Sequence, residues 1–209
     1  MAQKDVGNKI PIYKLKTTDE VMKYYDEWGV KNKYDQDMVD WNYTGPKETV
    51  ATFIKYSRDR DIKILDAGCG TGLVGIELKK YNYLNIDGMD LSKKLLDLVP
   101  NGYYQNLNQV DLNKTIKVNN DTYDAVMCVG TFTFGHVKPN ALDEFIRISK
   151  NKGLICFTIN EGIYEEYGFD KKIDELKRKK SWNIKEFFKS DYIASKDVNA
   201  WLCLAEVIK

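Results

Sequence analysis

The stretch that most constrains this chain is Ile62 to Gly75, which reads Ile-Lys-Ile-Leu-Asp-Ala-Gly-Cys-Gly-Thr-Gly-Leu-Val-Gly. Ile62, Ile64 and Leu65 form a short apolar run, the mark of a buried strand. Asp66 closes it, Gly68, Gly70 and Gly72 make a tight turn, and Leu73 to Leu78 follows as an apolar helix. Glycine lets the backbone approach a ligand closely, and a helix N-terminus offers N–H groups that lack intrahelical partners. A lone Gly-x-Gly is weak evidence, because any tight turn would use it. Here the strand behind it, the acid before it and the helix after it are all in place, and together they predict a nucleotide-binding turn in an α/β sheet.

The ligand is narrowed by two residues. A dinucleotide fingerprint, Gly-x-Gly-x-x-Gly, needs glycine where this chain has Leu73. An acid directly before the loop suits a ligand carrying positive charge and repels a pyrophosphate. An NAD-dependent oxidoreductase is therefore the weaker alternative.

Farther along, Leu84 to Asp90 reads as a second strand ending in acid, with Asp90 lying 22 residues beyond Gly68. At that spacing a second-strand carboxylate meets a ribose in such folds. Ser92 caps a helix over Lys93 to Val99, and Pro100 stops it. Tyr103 to Leu107 reads as a third strand, Tyr123 to Gly130 as a fourth and mid-sheet one, and Leu154 to Ile159 as a fifth after a turn at Lys150 to Gly153. Helix Tyr164 to Lys180 and strands Lys185 to Ile193 and Ala200 to Ile208 complete the chain. Before the glycine turn, Thr17 and Glu20 form a capping box, Val21, Tyr24, Tyr25 and Trp28 follow at helical spacing, and Gly29 ends the element. Residues 1–16 read as polar and loose, and Pro46 opens a further helix to about Arg58.

Asp66-Ala67-Gly68-Cys69-Gly70-Thr71-Gly72 resembles the first motif of class I S-adenosylmethionine-dependent methyltransferases. Tyr25-Asp26-Glu27-Trp28 and Lys33-Tyr34-Asp35 resemble the N-terminal cap of small-molecule methyltransferases. Together with Gly135-His136-Val137 and Gly153-Leu154-Ile155-Cys156, the likeness is nearest to the methyltransferase-like proteins named after the Williams–Beuren syndrome region. The resemblance implies one domain over 1–209, with a helical cap (1–58) on a Rossmann-like core (59–209) whose seven-stranded sheet runs 3-2-1-4-5-7-6 between two helical layers. It implies S-adenosylmethionine as cofactor, held by Tyr25 and Tyr34 of the cap and by Asp66, Gly68, Cys69, Gly70 and Gly72 of the loop. Asp90 and Leu91 would meet the ribose, Asp111 and Leu112 the adenine, and Val129 and Gly130 the end of the fourth strand.

His136 is the expected catalytic residue. It is the only histidine, it follows the fourth strand, and an imidazole titrating near neutrality can take a proton from a hydroxyl or amine. Trp41 and Tyr43 of the cap, Phe134 at the mouth and Tyr164 after the fifth strand are the expected acceptor contacts, an aromatic set suited to a cationic or aromatic molecule. The fourth strand does not end in Asn/Asp-Pro-Pro-Tyr, a signature of exocyclic-amine methyltransferases, and no Pro-Cys pair is present. With 32 basic against 31 acidic residues, no overall field favours nucleic acid. A small-molecule acceptor follows, with oxygen or nitrogen as the methylated atom. The alternative outside enzymes is a non-catalytic partner subunit on the same fold. A metal site is not expected from one histidine and no Cys-x-x-Cys, and the four cysteines read as reduced. No apolar run approaches the ~20 residues of a membrane span, and Met1 to Ile10 is too polar for a signal peptide, so a cytoplasmic location is expected.

Overall fold

The computed structural model describes residues 14–15, 17–28 and 33–209. The expected loose start and the helix stop at Gly29 lie outside the described residues. Helix α1 (Thr18–Trp28) opens on the capping box: Thr17 N donates to Glu20 Oε2 at 3.1 Å, and Glu20 N donates to Thr17 Oγ1 at 3.2 Å. Helices α2 (Lys33–Asp40) and α3 (Gly45–Phe53) follow. The core then alternates β1 (Ile64–Ala67), α4 (Leu73–Lys79), β2 (Ile86–Asp90), α5 (Lys93–Leu96), β3 (Asn106–Gln109), β4 (Tyr123–Phe132) and α6 (Ala141–Ile148). It ends with β5 (Ser149–Asn160), α7 (Phe169–Arg178), β6 (Trp182–Ile193) and β7 (Val198–Val207).

The seven strands form one sheet of order β3-β2-β1-β4-β5-β7-β6, as the resemblance implies. Strands β1 to β5 pair in parallel, and β7 inserts antiparallel between β5 and β6. Alternation along each central strand feeds two cores, since successive side chains point to opposite faces. Ile64, Ala125, Met127, Leu154 and Cys156 pack with Val50 and Phe53 of α3 and with Leu78 of α4. Leu65, Val126, Cys128, Ile155 and Phe157 pack with α6 and α7 on the other side. Both faces are covered, which is why these strands read as unbroken apolar runs.

Several boundaries differ from expectation, each for a local reason. The α3 helix stops at Phe53, and Val50 and Phe53 are fully buried beside Ile64, so α3 belongs to the core layer and the cap is α1 and α2. The α5 helix closes at Leu96 in tight turns, with Leu98 N donating to Leu95 O and Val99 N to Leu96 O. Strand β3 starts three residues late, at Asn106, because Tyr104 is drawn beneath the glycine loop. The expected turn at Lys150–Gly153 is absorbed into β5 as a bulge, with Lys152 at φ 65°. Gly168, at φ 76°, delays α7 to Phe169, leaving Tyr164 in a turn. No helix among the described residues is long and apolar enough to cross a membrane.

Candidate active site

Strand order reverses between β1 and β4, and open α/β sheets place ligands at such a point, beyond the carboxyl ends of the strands. A cleft opens there. Gly68 and Gly70 line it from the loop after β1, Asp90 and Leu91 from the end of β2, and Asp111 and Leu112 from the turn after β3. Val129 and Gly130 of β4 form the floor, and Tyr25, Tyr34 and His136 close it from the cap side. Gly68 sits at φ 81°, and a Cβ there would collide with the Thr131 side chain.

Asp90 ties the cleft together. Its Oδ2 accepts from Gly70 N and its Oδ1 from Ser92 N, both at 2.8 Å. Burial raises its pKa, and the Ser92, Gly70 and Leu91 amides work against that rise.

Three loop residues expected to touch the cofactor lie behind it instead. Asp66, Cys69 and Gly72 do not line the cleft. Gly72 is the N-cap of α4, at φ 93°. Cys69 is buried beside Gly88, where an added Cβ would come within 3.0 Å of its Sγ. Asp66 is fully buried; its Oδ2 accepts from the Tyr104 hydroxyl at 2.6 Å, and its Oδ1 has no partner. Burial pushes its pKa up to about 7 against the pull of the Tyr104 hydrogen bond. The Tyr104 hydroxyl also accepts from Gly75 N at 3.0 Å, and its ring fills the space left by Gly72, Gly75 and Gly88. Tyr104, which the sequence reading passed over as a strand residue, is thus the strut of the loop. Tyr104→Phe keeps the ring but strands Asp66 and the Gly75 amide, and is expected to cost about 1–3 kcal/mol in a urea titration. An unchanged midpoint would remove the strut.

Polar latches hold the cap against this loop. Asp35 Oδ1 accepts from Thr71 Oγ1 at 2.6 Å, and Asp26 Oδ1 accepts from Ser92 Oγ at 2.8 Å. His136 joins them through both ring nitrogens. Its Nδ1 donates to Phe134 O at 2.5 Å, which leaves Nε2 to accept from the Tyr25 hydroxyl at 3.0 Å. Both ring nitrogens are engaged, and burial lowers the pKa to about 4. His136 lines the cleft as a neutral anchor for Tyr25.

A sign follows for pH. Between the ordinary histidine value, near 6.5, and about 4, the unfolded chain takes up a proton that the native His136 does not. Its contribution to stability is therefore present above pH 6.5 and lost as pH falls towards 4. Asp66 acts oppositely over about pH 4 to 7, holding its proton in the native state, so the histidine part is read as a difference. Urea midpoints of wild type should fall more steeply from pH 7 to 5 than those of His136→Gln. Parallel curves would show that His136 charges without penalty.

A second cleft, about 380 Å³, adjoins the first and shares Tyr25, Tyr34 and Gly130 with it. Trp28, Met38, Trp41 and Tyr43 line it from the cap side, and Thr133, Tyr192 and Ile193 from the sheet side. The expected Trp41 and Tyr43 are brought here; Phe134 and Tyr164 are not. Phe134 lies between the cores, its ring 6.3 Å from that of Tyr167. Tyr164 packs on Trp201 and Phe187, at ring distances of 5.2 and 5.9 Å, beneath the C-terminal hairpin. Thr131 and Thr133, in the run closing the fourth strand that is expected at the mouth, line the first and second clefts respectively. Tyr192, by contrast, is not foreseeable from spacing and arrives only through antiparallel pairing of the last strands. Among the described residues, neither cleft is lined by lysine or arginine, while Asp90 and Asp111 supply two carboxylates. No cluster of metal-ligating side chains is found among the described residues.

Comparison with known proteins agrees with this geometry. Residues 64–153 match the family model described as a methyltransferase domain. Methyltransferase-like protein 27 of Homo sapiens is 30% identical over 168 residues, covering 77% of this chain and 67% of that one. Among solved structures, magnesium protoporphyrin IX methyltransferase from Synechocystis with bound S-adenosylmethionine superposes with a TM-score of 0.68, at 15% identity over 90% of this chain and 96% of that one. A [4+2]-cyclase superposes with a TM-score of 0.67, at 12% identity over 93% and 97%. Likeness at that level shows the fold alone, and the cyclase illustrates how far chemistry varies on it.

Proposed function

Because the chain belongs to the class I S-adenosylmethionine-dependent methyltransferases, we propose that it methylates an oxygen or nitrogen of a small molecule held in the aromatic cleft. The cofactor supplies an activated methyl group on a sulfonium sulfur. The residues present fit it: the loop glycines leave room for close approach, and Asp90 places a carboxylate in a lining that holds no lysine or arginine among the described residues, which suits a cationic ligand. In this reading Asp90 accepts from the ribose hydroxyls, Asp111 and the Leu112 backbone read the adenine, and Tyr25 and Tyr34 cover the passage between the clefts. The α1 and α2 helices act as a cap over the core, latched by Asp26, Asp35 and Tyr25.

The observation that carries the acceptor class is the lining of the two joined clefts, which among the described residues offers no lysine or arginine to a phosphate or carboxylate. Nucleic acids are bound through cationic contacts to phosphate, so they suit this site poorly. What the chain must do is orient the acceptor, an effect worth on the order of 7–11 kcal/mol in well-aligned intramolecular reactions. His136 contributes by placing Tyr25. Accordingly His136→Ala should lower turnover about 10-fold or more through misplacement of a cap contact, and His136→Gln should restore part of it. Full activity in both would detach His136 from the site.

The acceptor class is tested by incubating the protein with methyl-labelled S-adenosylmethionine and fractionated cell extract. Label is expected in the dialysable fraction. Label confined to nucleic acid or protein would overturn the small-molecule reading while leaving methyl transfer intact.

A further inference from the structure

The aromatic cleft carries a narrower inference, which rests on the methyltransferase reading above. Trp28, Trp41, Tyr25, Tyr34, Tyr43 and Tyr192 make most of its wall. Their rings pack edge to face, tilted or, for Tyr25 on Trp28, stacked, with Trp28 5.0 Å from Tyr34 and 5.4 Å from Trp41, and Tyr43 5.1 Å from Tyr192. No charged side chain lines it among the described residues, although Lys196 Nζ already lies 5.4 Å from the centre of the Trp41 ring. One polar atom is left over: Thr133 is 4% exposed, and its Oγ1 has no hydrogen-bond partner.

An uncharged aromatic box attracts cations through the negative faces of its rings and gives no help to anions. Proton removal is poorly provided for in the adjoining cleft. His136 is engaged at both nitrogens, Asp90 holds two backbone amides, and Asp111 accepts from Asn113 N and pairs with Lys114. An alcohol or phenol would have to lose a proton here, a carboxylate would meet no lysine or arginine in the lining among the described residues, and a primary or secondary amine would have to shed a proton after transfer.

We propose that the acceptor is a small tertiary amine, bound in the box formed by Trp28, Trp41, Tyr43 and Tyr192, and that the product is its quaternary ammonium ion. The nitrogen lone pair forms the new N–C bond as the C–S bond breaks with its electron pair passing to sulfur. A tertiary amine is mostly its ammonium form in neutral water, so it enters as the free base after leaving its proton to solvent. In the transfer itself one positive charge leaves the sulfonium and one arrives on nitrogen, and charge balances with no further proton moved. The box faces the charge as it develops, which favours the transition state over a neutral bound amine. The orphaned Thr133 hydroxyl is placed to bond a polar group elsewhere on the acceptor.

The test is binding, read from tryptophan fluorescence, because two of the chain's four tryptophans line the box. The protein saturated with S-adenosylhomocysteine is titrated with choline and with dimethylbutanol, its neutral isostere carrying carbon in place of the quaternary nitrogen. Choline should bind saturably and about 10-fold or more tighter than the isostere. Trp41→Leu should erase that preference while leaving the melting temperature within a few degrees. Equal binding of the two probes, or saturation by neither, overturns the proposal, and the wild-type comparison holds even if the variant fails to fold. Calorimetry of S-adenosylhomocysteine on the same samples separates the two readings. Cofactor binding without choline preference sinks the amine alone, and absence of cofactor binding sinks the methyltransferase reading and the amine with it.

Discussion

Asp90→Ala is expected to weaken S-adenosylmethionine binding by about 100-fold or more, from the loss of charge-assisted hydrogen bonds worth roughly 1.5–3 kcal/mol each. The carboxylate has two tasks. It fixes the loop through the Gly70 and Ser92 amides, and it lines the cleft. Alanine removes both together, leaving the Gly70 amide without its partner at the point where the loop must approach the ligand. Asp90→Asn separates the tasks, since one amide oxygen still accepts while the other position becomes a donor facing a backbone donor. Its affinity should fall between wild type and alanine. Isothermal titration calorimetry reads all three. Equal affinities would show that Asp90 serves the loop fold only and that the ribose assignment is wrong.

Gly130→Ala should abolish most turnover, for a different reason. Gly130 lies at φ 82° and belongs to the walls of both clefts. An added Cβ would stand 2.7 Å from the Tyr43 hydroxyl and 3.3 Å from that of Tyr192, between the place for the cofactor and the aromatic box. The left-handed backbone costs a non-glycine residue roughly 1–2 kcal/mol, so the melting temperature should fall by several degrees but the protein should fold. Reaction geometry tolerates far less than one methyl group in the passage, and displacement of about 1 Å can cost 100-fold in rate. Cofactor affinity should change little by comparison. A variant with wild-type turnover would mean that the methyl group does not pass at Gly130, and that the shared wall of the two clefts has no part in transfer.

The legible parts of this molecule are those in which the sequence acts locally. Strand, glycine turn and helix from Ile64 to Lys79 are contiguous, and each residue's need is met by its neighbours. Asp90 was legible at longer range because the length of one helix and one strand fixes its distance from the loop. Asp66 shows where that reasoning stops. Adjacency to the glycines suggested contact with the ligand, yet strand alternation sends its side chain to the Ile64 face, under α4 and against Tyr104. Which face of β1 looks at the cleft depends on the whole sheet. Tyr104 and Tyr192 reach their places through tertiary pairing, and no spacing within the chain announces it. His136 lines the cleft, as its place after the fourth strand implies, while its partners, Tyr25 and the Phe134 carbonyl, are set by packing that no local spacing carries. Tyr164 was misplaced because Gly168 breaks the helix on which it was expected to sit.

The most direct measurement is thermal melting of the protein with S-adenosylmethionine, S-adenosylhomocysteine, NAD or no ligand. A ligand present at 100 times its dissociation constant stabilises the native state by about 2.7 kcal/mol, which at this chain length raises the melting temperature by roughly 5–10 °C. Both adenosyl compounds should produce that shift, NAD should not, and Asp90→Ala should lose it. A shift with NAD, or with none of the three, would contradict the account of the glycine-loop cleft as the seat of methyl transfer.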